Sequence, residues 1–227
     1  INGNIAKSYR VPTFNDRFWG DQGNPNLNPE KGINYELGFK WNYSNNKTSG
    51  HIQLNTYYLK VDEWILWVNN NDWVPQNVQE VESKGLELMT LWNYSLFGLK
   101  TESGFNYSYT STERKKSYSI TDAVGRQLEY VPLHSGNFYS TTSYKNTDVS
   151  IDCKYTDKQY TNEEDGNILS SYFLLNFSVG HQFKLNNKNK IKIKGMLNNI
   201  LNTEYQSTFG FAMPGVNYRL SLTYNIN

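Results

Sequence analysis

The chain has 227 residues, a net charge of +1 from 22 basic and 21 acidic side chains, and one cysteine, Cys153. The balanced charge, without a basic block, argues against nucleic acid as a partner. A single thiol excludes a disulfide framework or a cysteine metal cluster within the chain. The mean hydropathy is −0.70, and no apolar run approaches the roughly 18 residues of a membrane-spanning helix.

Alternation of apolar and polar residues predicts about ten β-strands. The alternation is cleanest around Leu37, Tyr107, Leu175 and Leu222, where one face is apolar and the other polar. Many of these strands reach about a dozen residues, whereas strands of globular sheets usually have ~5–6 and crossing a bilayer at a tilt needs ~9–11. The predicted strands span residues 1–9, 32–43, 51–63, 76–94, 99–111, 135–144, 147–160, 171–184, 190–201 and 215–227.

The connections between these strands are alternately short and long. The short ones are residues 44–50, 95–98, 145–146 and 185–189, and the long ones are residues 10–29, 64–75, 112–132, 161–169 and 203–214. Outer-membrane barrels have short periplasmic turns and long external loops. The sequence therefore predicts an all-β chain, part of an antiparallel transmembrane β-barrel in a bacterial outer membrane. A soluble β-sandwich that binds carbohydrate would show the same alternation and remains the alternative.

One predicted strand breaks its alternation, because Val81 lies on one parity and Leu86 on the other, with Gly85 between them. A glycine bulge, which inserts one residue and re-aims the strand, is the preferred interpretation. The alternative is that the first half of this segment is not strand.

Three carboxylates are expected to face the lumen of the barrel, namely Glu36, Glu80 and Glu87.

The sequence predicts no catalytic site, no cofactor and no metal site. The histidines, His51, His134 and His181, are scattered without metal-type spacing. Residues 163–166 indicate a solvated Asp-Gly turn rather than a calcium loop, and Cys153 an apolar filler. A barrel enzyme would need a Ser/His or Asp/His pair on facing strands, and no such pair is recognisable. We therefore expect the protein not to be an enzyme.

The functional candidates are aromatic and charged residues in the long connections. Aromatic residues make up 15% of the chain, and exposed aromatics beside amides and charges suit the capture of a large, partly apolar ligand. For Trp64 and Trp67 the alternative is an aromatic girdle at the membrane boundary. The predicted ligand-binding residues are Phe14, Arg17, Trp19, Trp64, Trp67 and Trp73.

Several short motifs resemble those of TonB-dependent outer-membrane receptors. The segment Ser8-Tyr9-Arg10-Val11-Pro12-Thr13-Phe14 is similar to the arginine-x-proline box, and Asn24-Pro25-Asn26-Leu27 to the asparagine-proline-asparagine-leucine box. Segments 77–87, 131–134, 199–205 and 214–224 resemble further motifs of the family in the same order. The residues that carry the resemblance most directly are Arg10, Pro12, Asn24, Pro25, Asn26, Leu27, Gly85, Glu87, Asn199 and Tyr205.

The resemblance implies a 22-stranded barrel with a plugged lumen. Residues 1–227 would be its C-terminal portion, and the plug domain and the TonB box that form the N-terminal part are not in these residues. The chain opens without a signal-peptide pattern, and we expect a processed chain or a fragment. The implied partners are outer-membrane lipid, the TonB complex through the missing part, a transported ligand and a surface lipoprotein.

The resemblance also suggests a cargo. The run from Arg10 to Asp16 and the compact loops are most similar to receptors of the cobalamin-transporter type, which implies uptake of cobalamin or a related corrinoid. Haem receptors of the family usually place a histidine between the two boxes, and none lies between Pro12 and Asn24. A haem or siderophore receptor of the same family is the alternative.

Overall fold

The computed structural model describes residues 1–70, 72–116, 124–161, 167–185 and 189–226. These residues form strands and one short helix. In chain order they are β1 (Asn2–Arg10), α1 (Phe14–Phe18), β2 (Glu30–Ser44), β3 (Thr48–Asn70), β4 (Asp72–Leu96), β5 (Leu99–Lys116), β6 (His134–Tyr144), β7 (Thr147–Thr156), β8 (Gln159–Tyr160), β9 (Ile168–Leu169), β10 (Tyr172–Lys184), β11 (Asn189–Asn198), β12 (Gln206–Thr208), β13 (Phe211–Ala212) and β14 (Asn217–Ile226).

Ten of these strands form one antiparallel sheet in the order β1-β2-β3-β4-β5-β6-β7-β10-β11-β14. The prediction of about ten long strands is confirmed, and most boundaries agree within a few residues. Each long strand pairs with its neighbour along the chain, the up-and-down order of a barrel wall. The pairs β8–β9 and β12–β13 are separate two-stranded sheets within the long connections. The sheet is a single layer rather than two packed ones, so the sandwich alternative is wrong.

Strands β3 and β4 are much longer than predicted, with 23 and 25 residues. They pair from Thr48 opposite Tyr94 to Asn70 opposite Asp72. The prediction of a long loop at residues 64–75 is therefore wrong. Every residue from Trp64 to Val68 is aromatic or aliphatic, and two of them are β-branched. This composition is typical of strands. The hairpin extends the wall well beyond its neighbours.

The predicted bulge at Gly85 is also wrong, because Gly85 pairs in regular register with Tyr57 on one side and Thr110 on the other. A Cβ atom at this position would lie 2.5 Å from the Tyr57 ring. Glycine is thus needed so that the ring can cover the strand. The apparent break in alternation arises at Val81, which shares the parity of Gly85 and is buried.

An irregularity in register does occur in this region, four residues earlier than predicted. Glu80 lies opposite Lys116 and Val81 lies opposite Arg114, which leaves Lys115 as the extra residue. The bulge is therefore on β5, and no glycine marks it. It lies where β4 and β5 extend towards the long connections.

The two faces of the sheet differ in chemistry as the alternation predicted. On the lipid face, Leu54 lies between Phe39 and Leu88 in neighbouring strands. Aromatic groups border this apolar band at both ends. The Trp41 and Trp92 rings are 6.2 Å apart near the short turns, and the Tyr107 and His134 rings are 6.1 Å apart near the long connections. Such girdles are typical of outer-membrane barrels.

The short turns after β2, β4, β6 and β10 lie at one end of the sheet, because consecutive strands are antiparallel, and the long connections after β1, β5, β7 and β11 lie at the other. The predicted asymmetry is confirmed for these connections. At residues 64–75, β3 and β4 instead reach the second end as a paired hairpin. The predicted Asp-Gly turn at residues 163–166 falls outside the described residues. Within the described part of the chain, no helix has the length and apolar character to span a membrane.

Neighbouring positions on β4 test the assignment of the two faces. Leu88 faces lipid, whereas Met89 faces the lumen opposite Gln53 and Asn106. Leu88→Arg should destabilise the folded barrel by about 2–4 kcal/mol, because it places a cation in hydrocarbon. Met89→Arg should cost much less, since Met89 is exposed on the polar face. Equal losses of unfolding free energy in lipid bilayers would contradict the assignment.

Candidate functional site

The candidate site is the end of the sheet that carries the long connections, where residues 11–29 fold against the β3–β4 hairpin. We call these two segments the loop and the hairpin. The loop contains α1, which begins with a capping box: Asp16 donates its backbone N–H to Thr13 Oγ1 at 3.1 Å and accepts the Thr13 N–H at 2.8 Å. This reciprocal pair satisfies two backbone donors at the start of the helix.

The base of the loop is closed by an ion pair between Arg10 and Glu30, which are direct partners at the ends of β1 and β2. Arg10 donates from Nε to Glu30 Oε2 at 2.6 Å and from Nη2 to Oε1. Glu30 Oε1 also accepts the backbone N–H of Ile65 at 2.8 Å. The buried carboxylate of Glu30 therefore joins β1, β2 and β3 at one point.

A second carboxylate fixes the helix to the hairpin. Asp16 is buried, and its Oδ1 accepts the indole N–H of Trp67 at 3.1 Å. Arg10 lies 3.8 Å away from Oδ2. Burial raises the pKa of Asp16, but the hydrogen bonds from Thr13 and Trp67 and the charge of Arg10 outweigh it, so the pKa lies below its ordinary value.

Amide side chains complete the attachment of the loop. Asn24 donates to the carbonyl of Pro75 at 3.2 Å. Asn77 accepts the backbone N–H of Asn28 at 2.9 Å and donates to the Asn28 carbonyl at 3.0 Å, as one strand would to another. Leu27 is only 3% exposed and serves as the apolar anchor of the loop. Side chains of the asparagine-proline-asparagine-leucine box thus hold the loop.

The predicted ligand-binding residues occupy different environments. Phe14, Trp19 and Trp73 are exposed, at 75%, 56% and 54%. Trp64 and Trp67 lie in β3 and Trp73 in β4, so their predicted placement in an irregular loop is wrong. Trp67 is half-buried and is a hydrogen-bond donor to the loop, and Trp64 is also half-buried.

Arg17 is half-buried and donates to the carbonyl of Leu27 at 3.2 Å. This bond lies within the loop, so the side chain stabilises the turn that presents the exposed aromatics. Phe14 packs on Phe18 with ring centroids 5.1 Å apart. The exposed surface of the loop therefore carries three large aromatic side chains, Phe14, Phe18 and Trp19, and its attached side is polar and hydrogen-bonded.

The later motif residues organise another long connection. Asn199 is buried, accepts the Thr203 N–H at 2.9 Å, and donates to the carbonyls of Thr203 and Pro214. Tyr205 packs on Tyr172 with ring centroids 4.6 Å apart. Asn199 and Tyr205 therefore hold residues 199–216 on the wall. Glu87 is exposed on the lumen face opposite Asn55.

Sequence analysis did not single out Glu30, Asp16 and Asn77. A usable signal existed for Glu30, because an arginine and a glutamate border the predicted long connection and would end neighbouring antiparallel strands. Asn77 begins the motif segment 77–87, but nothing in the sequence indicated its contact with Asn28, which is 49 residues away. The residues that hold the loop could be identified only from the structure, because most of their partners lie in the part of the β3–β4 hairpin that was predicted to be a loop.

The chain matches the family model of the TonB-dependent receptor-like β-barrel over residues 1–200. It belongs to this family, whose members are transport receptors of the bacterial outer membrane. The chain spans about a third of the length of the curated relatives that it matches over nearly all of its own length.

Three similar proteins illustrate the relationship. The vitamin B12 transporter BtuB of Photobacterium profundum is 24% identical over 99% of this chain and 35% of its own length. The ferric-pyoverdine BN7/BN8 receptor of Pseudomonas putida is 30% identical over 55% of this chain and 14% of its own. The structure of the copper transporter OprC superposes with a TM-score of 0.72 at 16% identity, over 99% of this chain and 36% of that one.

The role of Asp16 as an anchor can be tested by substitution. Asp16→Asn removes the charge that faces Arg10 and weakens the bonds from Thr13 and Trp67, so it should speed amide hydrogen exchange across residues 13–29. The expected loss of local stability is about 1–3 kcal/mol, typical of a buried hydrogen-bond partner. Asp21→Asn changes an exposed carboxylate of the same loop and should leave the exchange unchanged.

The pH dependence of this anchor follows from the lowered pKa of Asp16. A carboxyl group with a lowered pKa in the folded state stabilises the loop above its ordinary pKa and loses that contribution as the pH falls through the folded value. Exchange protection in the loop should therefore persist at mildly acidic pH and disappear only below the ordinary Asp value of 3.8. Loss of protection well above that pH would contradict the anchor.

Proposed function

We propose that this chain is the C-terminal portion of a barrel that imports cobalamin or a related corrinoid across the outer membrane, driven by the TonB system. The observation that supports this choice of ligand is the 24% identity to a vitamin B12 transporter over 99% of this chain. Two further matches to vitamin B12 transporters, from Vibrio vulnificus strains, have 24% and 23% identity.

The open sheet supports a larger barrel. Strands β1 and β14 stand at the two ends of the ten-stranded order, and each has one edge without a neighbouring strand among the described residues. Backbone N–H and C=O groups facing hydrocarbon without partners cost several kcal/mol each. We infer that strands from elsewhere in the protein cover both edges, and that the plug domain and the TonB box lie in that part.

The exposed aromatics provide a surface suited to a large ligand with apolar and polar parts. Phe14 and Trp19 belong to the loop and Trp73 to the hairpin, and the Asp16–Trp67 and Asn24–Pro75 bonds hold the two segments together. A rigid aromatic surface loses little side-chain entropy when it binds. We therefore propose that Trp19 and Trp73 contact the ligand, with Phe14 beside them.

A siderophore receptor is the second candidate, and one observation favours it. The ferric-pyoverdine receptor shares 30% identity over 125 residues, a higher value over a shorter segment. Haem is less well supported, because the loop has no histidine between Pro12 and Asn24 that could bind the iron.

Direct titration of the intact receptor with cyanocobalamin, haem and a catecholate siderophore tests the cargo. We expect saturable binding of cyanocobalamin. Replacing Trp19 and Trp73 together by alanine should weaken it by about 1–3 kcal/mol, since a few buried aromatics carry most of the energy of a binding surface.

Tyr144→Ala is the matched control, because Tyr144 is an exposed aromatic at the opposite end of the sheet and its loss should not change the affinity. Binding of the siderophore without any response to cyanocobalamin would contradict the cargo and leave the receptor family unchanged. Unaltered affinity in the tryptophan double variant would contradict the proposed contact surface.

A further inference from the structure

The lumen face of strands β10, β11 and β14 carries a row of cations. Ile193 of β11 lies opposite Leu222 on the lipid face, so the lysines on either side of it point into the lumen. No carboxylate lies on the lumen face of these three strands within the described residues. We call the row the cationic stripe, and its members are Lys184, Lys190, Lys192, Lys194 and Arg219.

The stripe runs along the wall rather than around it. Lys184 lies directly opposite Lys190, beside the short turn that joins β10 and β11. Arg219 lies opposite Met196, near the long connection that precedes β14. The distance along β11 from Lys190 to Met196 is about 20 Å at ~3.4 Å per residue. By the rule for outer-membrane barrels, the stripe therefore leads from the external side towards the periplasm.

One carboxylate of the neighbouring strand reaches the stripe. Asp148 of β7 lies opposite Gly180 and forms an ion pair with Lys192 at 2.6 Å, across the whole width of β10. Glycine is needed at position 180, because a Cβ atom there would lie 2.6 Å from the Asp148 carboxylate. The other four members of the stripe form no ion pair with any of the described residues. Most of its charge is therefore not compensated within this part of the chain.

The stripe is unfavourable for the fold alone. Like charges directly opposite each other in an antiparallel pair are destabilising, and Lys184 and Lys190 are such a pair. Lys190, Lys192 and Lys194 follow one another at intervals of about 7 Å. An uncharged polar residue at each of these positions would suit a wet lumen equally well. The repeated cations therefore indicate an anionic partner in the lumen.

The lumen face nearer the N-terminus carries carboxylates instead, with Glu36 on β2 and Glu87 on β4. Glu80 was expected there too. This expectation is wrong, because Glu80 lies on the outer face, where it pairs with Lys60 at 3.2 Å and with Lys116 at 3.0 Å. Among the described residues, carboxylates of the lumen face thus lie outside the stripe.

We propose that the cationic stripe guides the anionic group of the transported ligand along the barrel wall towards the periplasm. The inference rests on the proposed import function and adds a charge requirement to it. Cations that line a pore select anions, and passage requires several weak sites in series rather than one tight site. Lysine and arginine donate charge-assisted hydrogen bonds to phosphate and carboxylate oxygens. Ser221 and Thr223, opposite Lys194 and Lys192, add neutral donors.

Each candidate ligand carries a suitable anionic group. A corrinoid of the cobalamin type has a phosphodiester in its nucleotide loop, haem has two propionates, and a ferric catecholate complex has negatively charged ligand oxygens. Cobinamide is a corrinoid without the phosphodiester, so it separates the contribution of this group from that of the corrin ring.

The test is energised uptake of radiolabelled ligands by cells that produce the intact receptor. Lys190→Gln/Lys194→Gln should slow the uptake of cyanocobalamin about fivefold or more, the size expected when charge-assisted hydrogen bonds are lost. Uptake of cobinamide should keep its rate. The affinity of the receptor for cyanocobalamin without energy should also stay unchanged, because the exposed aromatics proposed to contact the ligand lie outside the stripe.

Lys190→Arg/Lys194→Arg is the charge-conserving control and should keep the rate of cyanocobalamin uptake. Lys40→Gln should keep it too, because Lys40 lies on the lumen face of β2, opposite Gln53 and outside the stripe. Circular dichroism of each variant establishes that the barrel is folded.

Two results would overturn the stripe and leave the proposed cargo intact. One is unchanged uptake of cyanocobalamin by Lys190→Gln/Lys194→Gln. The other is equal slowing of cyanocobalamin and cobinamide, because the stripe would then act on the protein rather than on the anionic group of the ligand. Uptake of haem or the ferric catecholate without any uptake of cyanocobalamin would instead contradict the cargo. Slower uptake of that ligand by the same variant would then support the stripe, and an unchanged rate would overturn it.

Discussion

The buried carboxylate of Glu30 is the interaction on which the functional end of this sheet depends. It accepts two donors from Arg10 and the backbone N–H of Ile65, so that three strands meet at one side chain. A carboxylate that is only 8% exposed is tolerated because its oxygens are matched by donors. Removing one of these donors would leave the buried Glu30 carboxylate with an unpaired oxygen that water could not easily solvate.

The other contacts of the loop are arranged around this point. Arg10 faces both Glu30 and Asp16, and Asp16 in turn holds Trp67 of the hairpin. The attached side of the loop is therefore polar and committed to the wall. This arrangement leaves its aromatic side exposed, and it explains how a receptor can present large apolar side chains to the exterior without their collapsing onto the sheet.

Much of the fold could be predicted from the sequence, because period-two alternation survives in a barrel wall that has lipid on one face and water on the other. The ten strands and the alternation of short and long connections were predicted on this basis. The hairpin was missed because tryptophans among asparagines indicate a loop as readily as a strand. The bulge was misplaced because Gly85 has a packing role against Tyr57, which only the neighbouring strand reveals.

The candidate site was less predictable. The motif residues Arg10, Asn24, Leu27 and Asn199 were identified as a resemblance, yet their contacts depend largely on pairings between distant parts of the chain. Glu80 was assigned to the wrong face because a carboxylate on the lipid side is unexpected until the lysines of the adjoining strands are placed beside it.

A double-mutant cycle on Arg10 and Glu30 measures the central interaction most directly. Arg10→Gln, Glu30→Gln and the double variant would be compared in the intact receptor by the amide exchange of residues 11–29 and of Ile65. The ion pair predicts a coupling free energy of about 1–3 kcal/mol, reduced from that of a fully buried pair because Arg10 is half-exposed. Additive effects of the two substitutions would contradict the account, because they would show that the loop is held without this pair.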